Sequence, residues 1–260
     1  MITYRTTLDE LHTTGLMKIV PEHARDIIRN AGPTSRTKGA KWLPTRPFLI
    51  HEEYSTRCLI SAGELLSICE QMAIATELLS GYRSGASIRE TVITRFDYLV
   101  YHIENHLIRS ISVLDRSLHL TNTVFRLGMP EEDCRFDSIV RNDYVSNTNV
   151  ARALKELDKL LKPFRRLRNV VIHRRRHSDQ DFAEFELYYL LQKTELKERT
   201  ADPLTKRYFV WYKAQTDQRV QEKKRSLGEI NQKVFSEIKQ LFVALEPTFV
   251  RIHGSIKDAG

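Results

Sequence analysis

The chain has 260 residues, 41% of them hydrophobic and 28% charged, enough apolar side chain for a sizeable core and too much for wholesale disorder. Ten glycines and eight prolines are few for this length, which speaks against a turn-rich β architecture and for long helices. Forty-one Lys and Arg against 33 Asp and Glu leave a net charge of +8, a surplus that suits a polyanionic partner but also fits a basic protein without one.

Residues 1–55 read as an irregular N-terminal arm, because Pro21, Pro33, Pro44 and Pro47 lie among Gly32, Gly39 and several Ser and Thr. One short helix over Glu22–Arg29 is expected there, opened by Pro21. Residues 56–260 read as a helical domain. Leu65, Leu66, Ile68, Met72, Ile74, Leu78 and Leu79 make a wide apolar face, closed by Gly81 and Gly85. Ser87 and Glu90 have the spacing of a capping box for the next helix. Phe96, Leu99, Val100, Ile103, Leu107, Ile111, Leu114 and Leu118 then recur at three- and four-residue steps, and the helix runs to about Arg126 before Gly128-Met129-Pro130. A polar loop over Asp143–Asn149 precedes a helix opened by Asn147 or Asn149 and carrying Val150, Leu154, Leu157, Leu160 and Leu161. Pro163 either kinks that helix or starts a second one. Tyr208–Tyr212 suits a strand or a helix start. A last amphipathic helix carries Leu227, Ile230, Val234, Ile238, Leu241, Phe242 and Leu245 and ends near Pro247.

Cys58, Cys69 and Cys134 are odd in number and fit no metal-ligand spacing, so they read as buried thiols in a reducing compartment. No apolar signal-peptide core follows Met1, and Glu64, Glu70 and Glu77 interrupt the most apolar stretch, Leu59–Leu79. These features place the protein in the cytoplasm, off the membrane.

The segment Lys162–His177 joins an apolar stripe to a dense basic face. Leu160, Phe164, Leu167 and Val171 fall at helical spacing, and Asn169, His173 and His177 repeat every fourth residue along another stripe. An imidazole beside guanidinium groups can do phosphodiester chemistry without a metal. Histidine exchanges a proton near neutral pH, and arginine holds and neutralises phosphate oxygens.

At Arg168-Asn169-Val170-Val171-Ile172-His173 the sequence resembles the HEPN superfamily, marked by an Arg, a polar residue directly after it, and a His a few residues on. Arg5 with His12, Arg46 with His51 and Arg166 with His173 also have suitable spacing, but none has Asn, Asp or His directly after the Arg. The resemblance implies an all-α, HEPN-like helical bundle and, in many members, a metal-independent endoribonuclease of antiviral defence or toxin–antitoxin systems. Others in the superfamily are non-catalytic and bind RNA, nucleotide or a protein partner. It implies catalytic roles for Arg168, Asn169 and His173, with Glu104, Asn105 or His177 in support, and Arg165, Arg166, Arg174, Arg175 and Arg176 binding RNA. It calls for no metal and no cofactor. It also implies a homodimer whose two motif helices form one composite site, and an antitoxin or regulatory protein as a candidate partner. Against a supporting role, His102, Glu104, Asn105, His106, Arg109 and Asp115-Arg116 read more readily as a solvated face with local salt bridges. Zinc at His102 and His106 lacks further ligands at a suitable spacing.

Overall fold

A computed structural model describes residues 4–30, 48–82, 94–173 and 203–259, and these contain helices and no strand. The expected all-α bundle is what the chain builds. Its longer helices are α1 (Tyr4–Leu11), α2 (Gly15–Asn30), α3 (Ile50–Leu78) and α4 (Arg95–Phe125). Two short ones follow, α5 (Phe136–Val140) and α6 (Asp143–Ser146), and then α7 (Asn149–His173) and α8 (Pro203–Ala259). The described residues fall into two compact units. One draws on Met1–Cys69, Ser112–Leu161 and Lys233–Gly260, the other on Glu70–Ile111 and Lys162–Gln232.

In the first unit, Phe235, Ile238, Phe242, Leu245 and Phe249 on α8 are fully buried at alternating steps of three and four, which puts one continuous stripe in the core. Leu11, Leu16 and Val20 of α1 and α2 are buried with equal completeness. Residues 4–30 are therefore helical core elements, where the sequence suggested an irregular arm with one short helix. Residues 31–47 lie outside the described residues. Tyr54 stacks on Phe249 at 5.4 Å between ring centroids and donates its hydroxyl hydrogen to the Val124 carbonyl at 2.8 Å. Cys58, Cys69 and Cys134 are all buried and none is in a disulfide among the described residues; burial pushes the Cys58 thiol up to about 12, so it stays protonated and unreactive.

In the second unit, Leu79, Phe96, Leu99, Val100, Ile103, Val220 and Leu227 form the core, with Tyr212 and Ile230 against it. Lys224 reaches Glu77 at 2.7 Å on its flank.

Several boundaries differ from the sequence reading for identifiable reasons. Thr94 caps α4: its Oγ1 accepts from the Asp97 N–H at 3.1 Å, while the Asp97 carboxylate accepts from the Thr94 N–H at 2.9 Å. This is the reciprocal box expected at Ser87 and Glu90, which lie outside the described residues. The supposed loop 143–149 contains α6, whose first turn is capped by Asn142 Oδ1 accepting from the Tyr144 N–H at 3.0 Å. Helix α8 continues through Pro247, and α7 through Pro163. Both prolines are exposed, as are Val243 and Lys159, whose carbonyls lose their helical partner. Water can solvate those carbonyls, which limits the cost of the missing N–H. Length and composition also make α3 apolar enough to cross a membrane, contrary to expectation, but 50% of that window is buried inside the protein.

Candidate functional site

Helix α7 is amphipathic for a plain reason. Val150, Ala151, Leu154, Leu157 and Leu161 are buried, whereas Arg152, Lys155, Glu156, Lys159 and Lys162 are exposed. Beyond Pro163 the same helix continues without a break to His173. Arg168, Asn169 and His173 thus sit on its last two turns, with Asn169 and His173 four residues apart along one side of the backbone spiral. Phe164 and Arg165 are half-buried. The side chains of Arg166, Arg168, Asn169 and His173, and the whole of Arg174, Arg175, Arg176 and His177, lie outside the described residues.

The polar residues of α4 separate into two kinds. Asn105 accepts from Arg109 Nε at 3.3 Å one turn along the same helix, and Glu104 is half-buried. Arg116 reaches Glu64 of α3 at 3.1 Å, a partly exposed pair of the kind a solvated face would make. His102 and His106, by contrast, are buried. They belong to the core, not to a solvated surface.

His106 is held by a chain of hydrogen bonds that joins α3, α4 and α8 within the second unit. Asn231 donates through Nδ2 to Thr76 Oγ1 at 3.0 Å, and Thr76 in turn donates to the Met72 carbonyl at 3.0 Å. That orientation turns Asn231 Oδ1 toward His106 Nε2, 2.7 Å away. An amide oxygen only accepts, so the proton of His106 resides on Nε2. Ser110 donates to the His106 carbonyl at 2.8 Å and lies 3.4 Å from Nδ1. Burial pushes the His106 pKa down to about 4, against the opposing effect of the Asn231 hydrogen bond, and the charge of Lys223 lowers it further. His106 is therefore a neutral, fixed imidazole at physiological pH. His102 packs edge-on to Tyr98 at 4.4 Å, burial lowers its pKa, and its Nδ1 has no hydrogen-bond partner among the described residues. The sequence reading did not find this network. His106 and Asn231 are 125 residues apart, and nothing local marks either as a partner of the other.

Residues 86–242 match the model of the Cthe2314-like HEPN family. The chain belongs to the HEPN superfamily. No curated protein and no solved structure matches it. The matched stretch includes Arg168–His173, Glu104, Asn105, His106 and Asn231, and leaves out α1, α2 and the whole of α3. Membership accounts for the all-helical fold and sets the chain in a superfamily of nuclease and toxin type.

Proposed function

We propose that this HEPN protein is a metal-independent endoribonuclease. The carrying observation is that the motif Arg168-Asn169…His173 falls inside the family match and on one uninterrupted helix. In the proposed reaction an imidazole takes the proton from a ribose 2′-hydroxyl, whose oxygen bonds to the adjacent phosphorus as the bond to the 5′-oxygen breaks. The leaving 5′-oxygen takes a proton from the imidazole of the second motif copy. The product is a 2′,3′-cyclic phosphate, and DNA is not cut because it lacks the nucleophile. His173 carries the proton transfer, Arg168 neutralises charge on the phosphorus oxygens, and Asn169 orients phosphate or imidazole. Glu104, Asn105 or His177 supports them. Arg165, Arg166, Arg174, Arg175 and Arg176 bind the RNA backbone, so affinity falls steeply with salt.

The proposed working form is a cytoplasmic homodimer with a composite site, in antiviral defence or a toxin–antitoxin pair, under an antitoxin or regulatory protein. The test is incubation of labelled RNA with purified protein in EDTA, wild type beside His173→Ala and Arg168→Ala. Cleavage to cyclic-phosphate ends is expected from wild type only, with a loss of at least about a hundredfold in each variant. RNA binding without cleavage, or cleavage that survives both substitutions, overturns the reading.

A further inference from the structure

In the first unit, α3 and the end of α4 border an open cleft of about 540 Å³, the size of small-molecule sites, with Arg57 and Arg126 exposed at its mouth. Ile50, Tyr54 and Met129 give it an apolar side, and Arg57, Glu53 and Arg126 its charge. The loop along its edge is fixed in place. Asn122 donates through Nδ2 to the Met129 carbonyl at 2.9 Å, and the Met129 N–H returns a bond to Oδ1 at 3.2 Å.

Arg126 is the unusual member. The Leu127 N–H bonds to the Asn122 carbonyl at 3.0 Å and the Arg126 N–H to that of Thr123 at 3.1 Å. These two bonds define a helix-ending turn whose left-handed position ordinarily takes glycine. Arg126 occupies it with φ of 53°, although Gly128 stands two residues on, itself at φ 69°. A cation near the end of a helix is favourable, but that benefit is open to any residue of the last turn without a strained backbone. Strain at a cavity wall is the signature of a side chain kept for what it holds. Arg57 is already paired with Glu53 at 2.6 Å, whereas no carboxylate pairs with Arg126 among the described residues.

We propose that this cavity binds a small phosphate monoester with an apolar body, its phosphate gripped by Arg126 and Arg57. Two guanidinium forks suit a tetrahedral dianion, which outcompetes the single charge of Glu53 for Arg57. The volume far exceeds a phosphate ion, and Ile50, Tyr54 and Met129 would cover the remainder of the molecule. The cavity shares no residue with Arg168–His173; its α3 wall lies outside residues 86–242, whereas Asn122, Arg126 and Met129 lie within them.

Phenyl phosphate titrated into the full chain at low salt tests this, with benzoate as the monoanionic control of similar shape. Calorimetry should show binding of phenyl phosphate in preference to benzoate and inorganic phosphate. Arg126→Gly relieves the left-handed backbone, so it should melt higher than wild type and yet bind at least about tenfold more weakly. A gain in stability with a loss of binding cannot come from misfolding. Arg126→Lys, which keeps charge without the fork, should fall between the two. No binding of phenyl phosphate to wild type, equal binding by Arg126→Gly, or benzoate binding as tightly as phenyl phosphate overturns the proposal.

Discussion

Two buried imidazoles, one in each unit, reach the same titration range by different means. His106 lies within a hydrogen-bond chain, its Nε2 proton directed at Asn231 Oδ1, and burial pushes its pKa down to about 4 although that bond works the other way. His253 lies 4.1 Å from His23 with the rings tilted, stacks on Phe249 at 5.8 Å, and meets His51 edge-to-face at 5.7 Å. Its pKa also falls to about 4, first through burial and then through the positive charges of His23, His51 and Lys257. Burial leads in both. What differs is the second influence, a fixed dipole favouring the proton at His106 and neighbouring cations opposing it at His253. A depressed histidine is thus a mark of location, and only its partners reveal what holds it there.

The largest expected effect is acid sensitivity. Both histidines bind a proton more readily in the unfolded chain, near pH 6.5, than in the fold, near pH 4. The unfolded state therefore gains protons first as pH drops. Stability is whole above about pH 6.5, declines toward pH 4, and loses nothing more from these groups below that. His106 alone accounts for about 3 kcal/mol of the decline. Denaturant unfolding across this window should show it, and His106→Gln should flatten the slope by about one proton, since a glutamine amide can still donate to Asn231 without titrating. Parallel losses in wild type and variant would separate His106 from the acid limb.

Next in size is Asn231→Leu. It fills the space but leaves the His106 Nε2–H without an acceptor, at a cost of about 2 kcal/mol. It also removes the one influence holding the His106 pKa up, so that pKa should fall further. Unfolding at pH 7 measures the first effect and the imidazole proton resonance of His106 the second. A stability unchanged from wild type would mean that the imidazole finds another partner.

What the sequence disclosed, and what it hid, follows the range of the forces involved. Helices α3, α4, α7 and α8 were legible because their burial repeats at three and four residues, a local signal. The N-terminal helices were not, since Pro21 inside α2 reads as a break while the burial of Leu11, Leu16 and Val20 is set by tertiary packing. The same holds for Pro247, where an exposed helix face tolerates the missing N–H. The Arg168-Asn169…His173 motif was legible because it is short and contiguous. The Asn231–His106 bond and the left-handed Arg126 were invisible, one because its partners are far apart in the chain, the other because backbone angle leaves no letter in the sequence.

The smallest expected effect isolates the second influence at His253. His23→Phe keeps a ring at the 4.1 Å contact and deletes the imidazole charge that is the largest of the repulsive contributions. The His253 pKa should then rise, the direction opposite to that of His106 in Asn231→Leu. It should stay below that of a free histidine, because burial, the leading cause, is untouched. A proton titration of the His253 ring by NMR reads the shift directly, while stability at pH 7 should change little because phenylalanine keeps an aromatic ring in the same place. An unmoved titration would assign the depression of His253 to burial alone, and the two imidazoles would then differ only in the hydrogen bond that one of them makes.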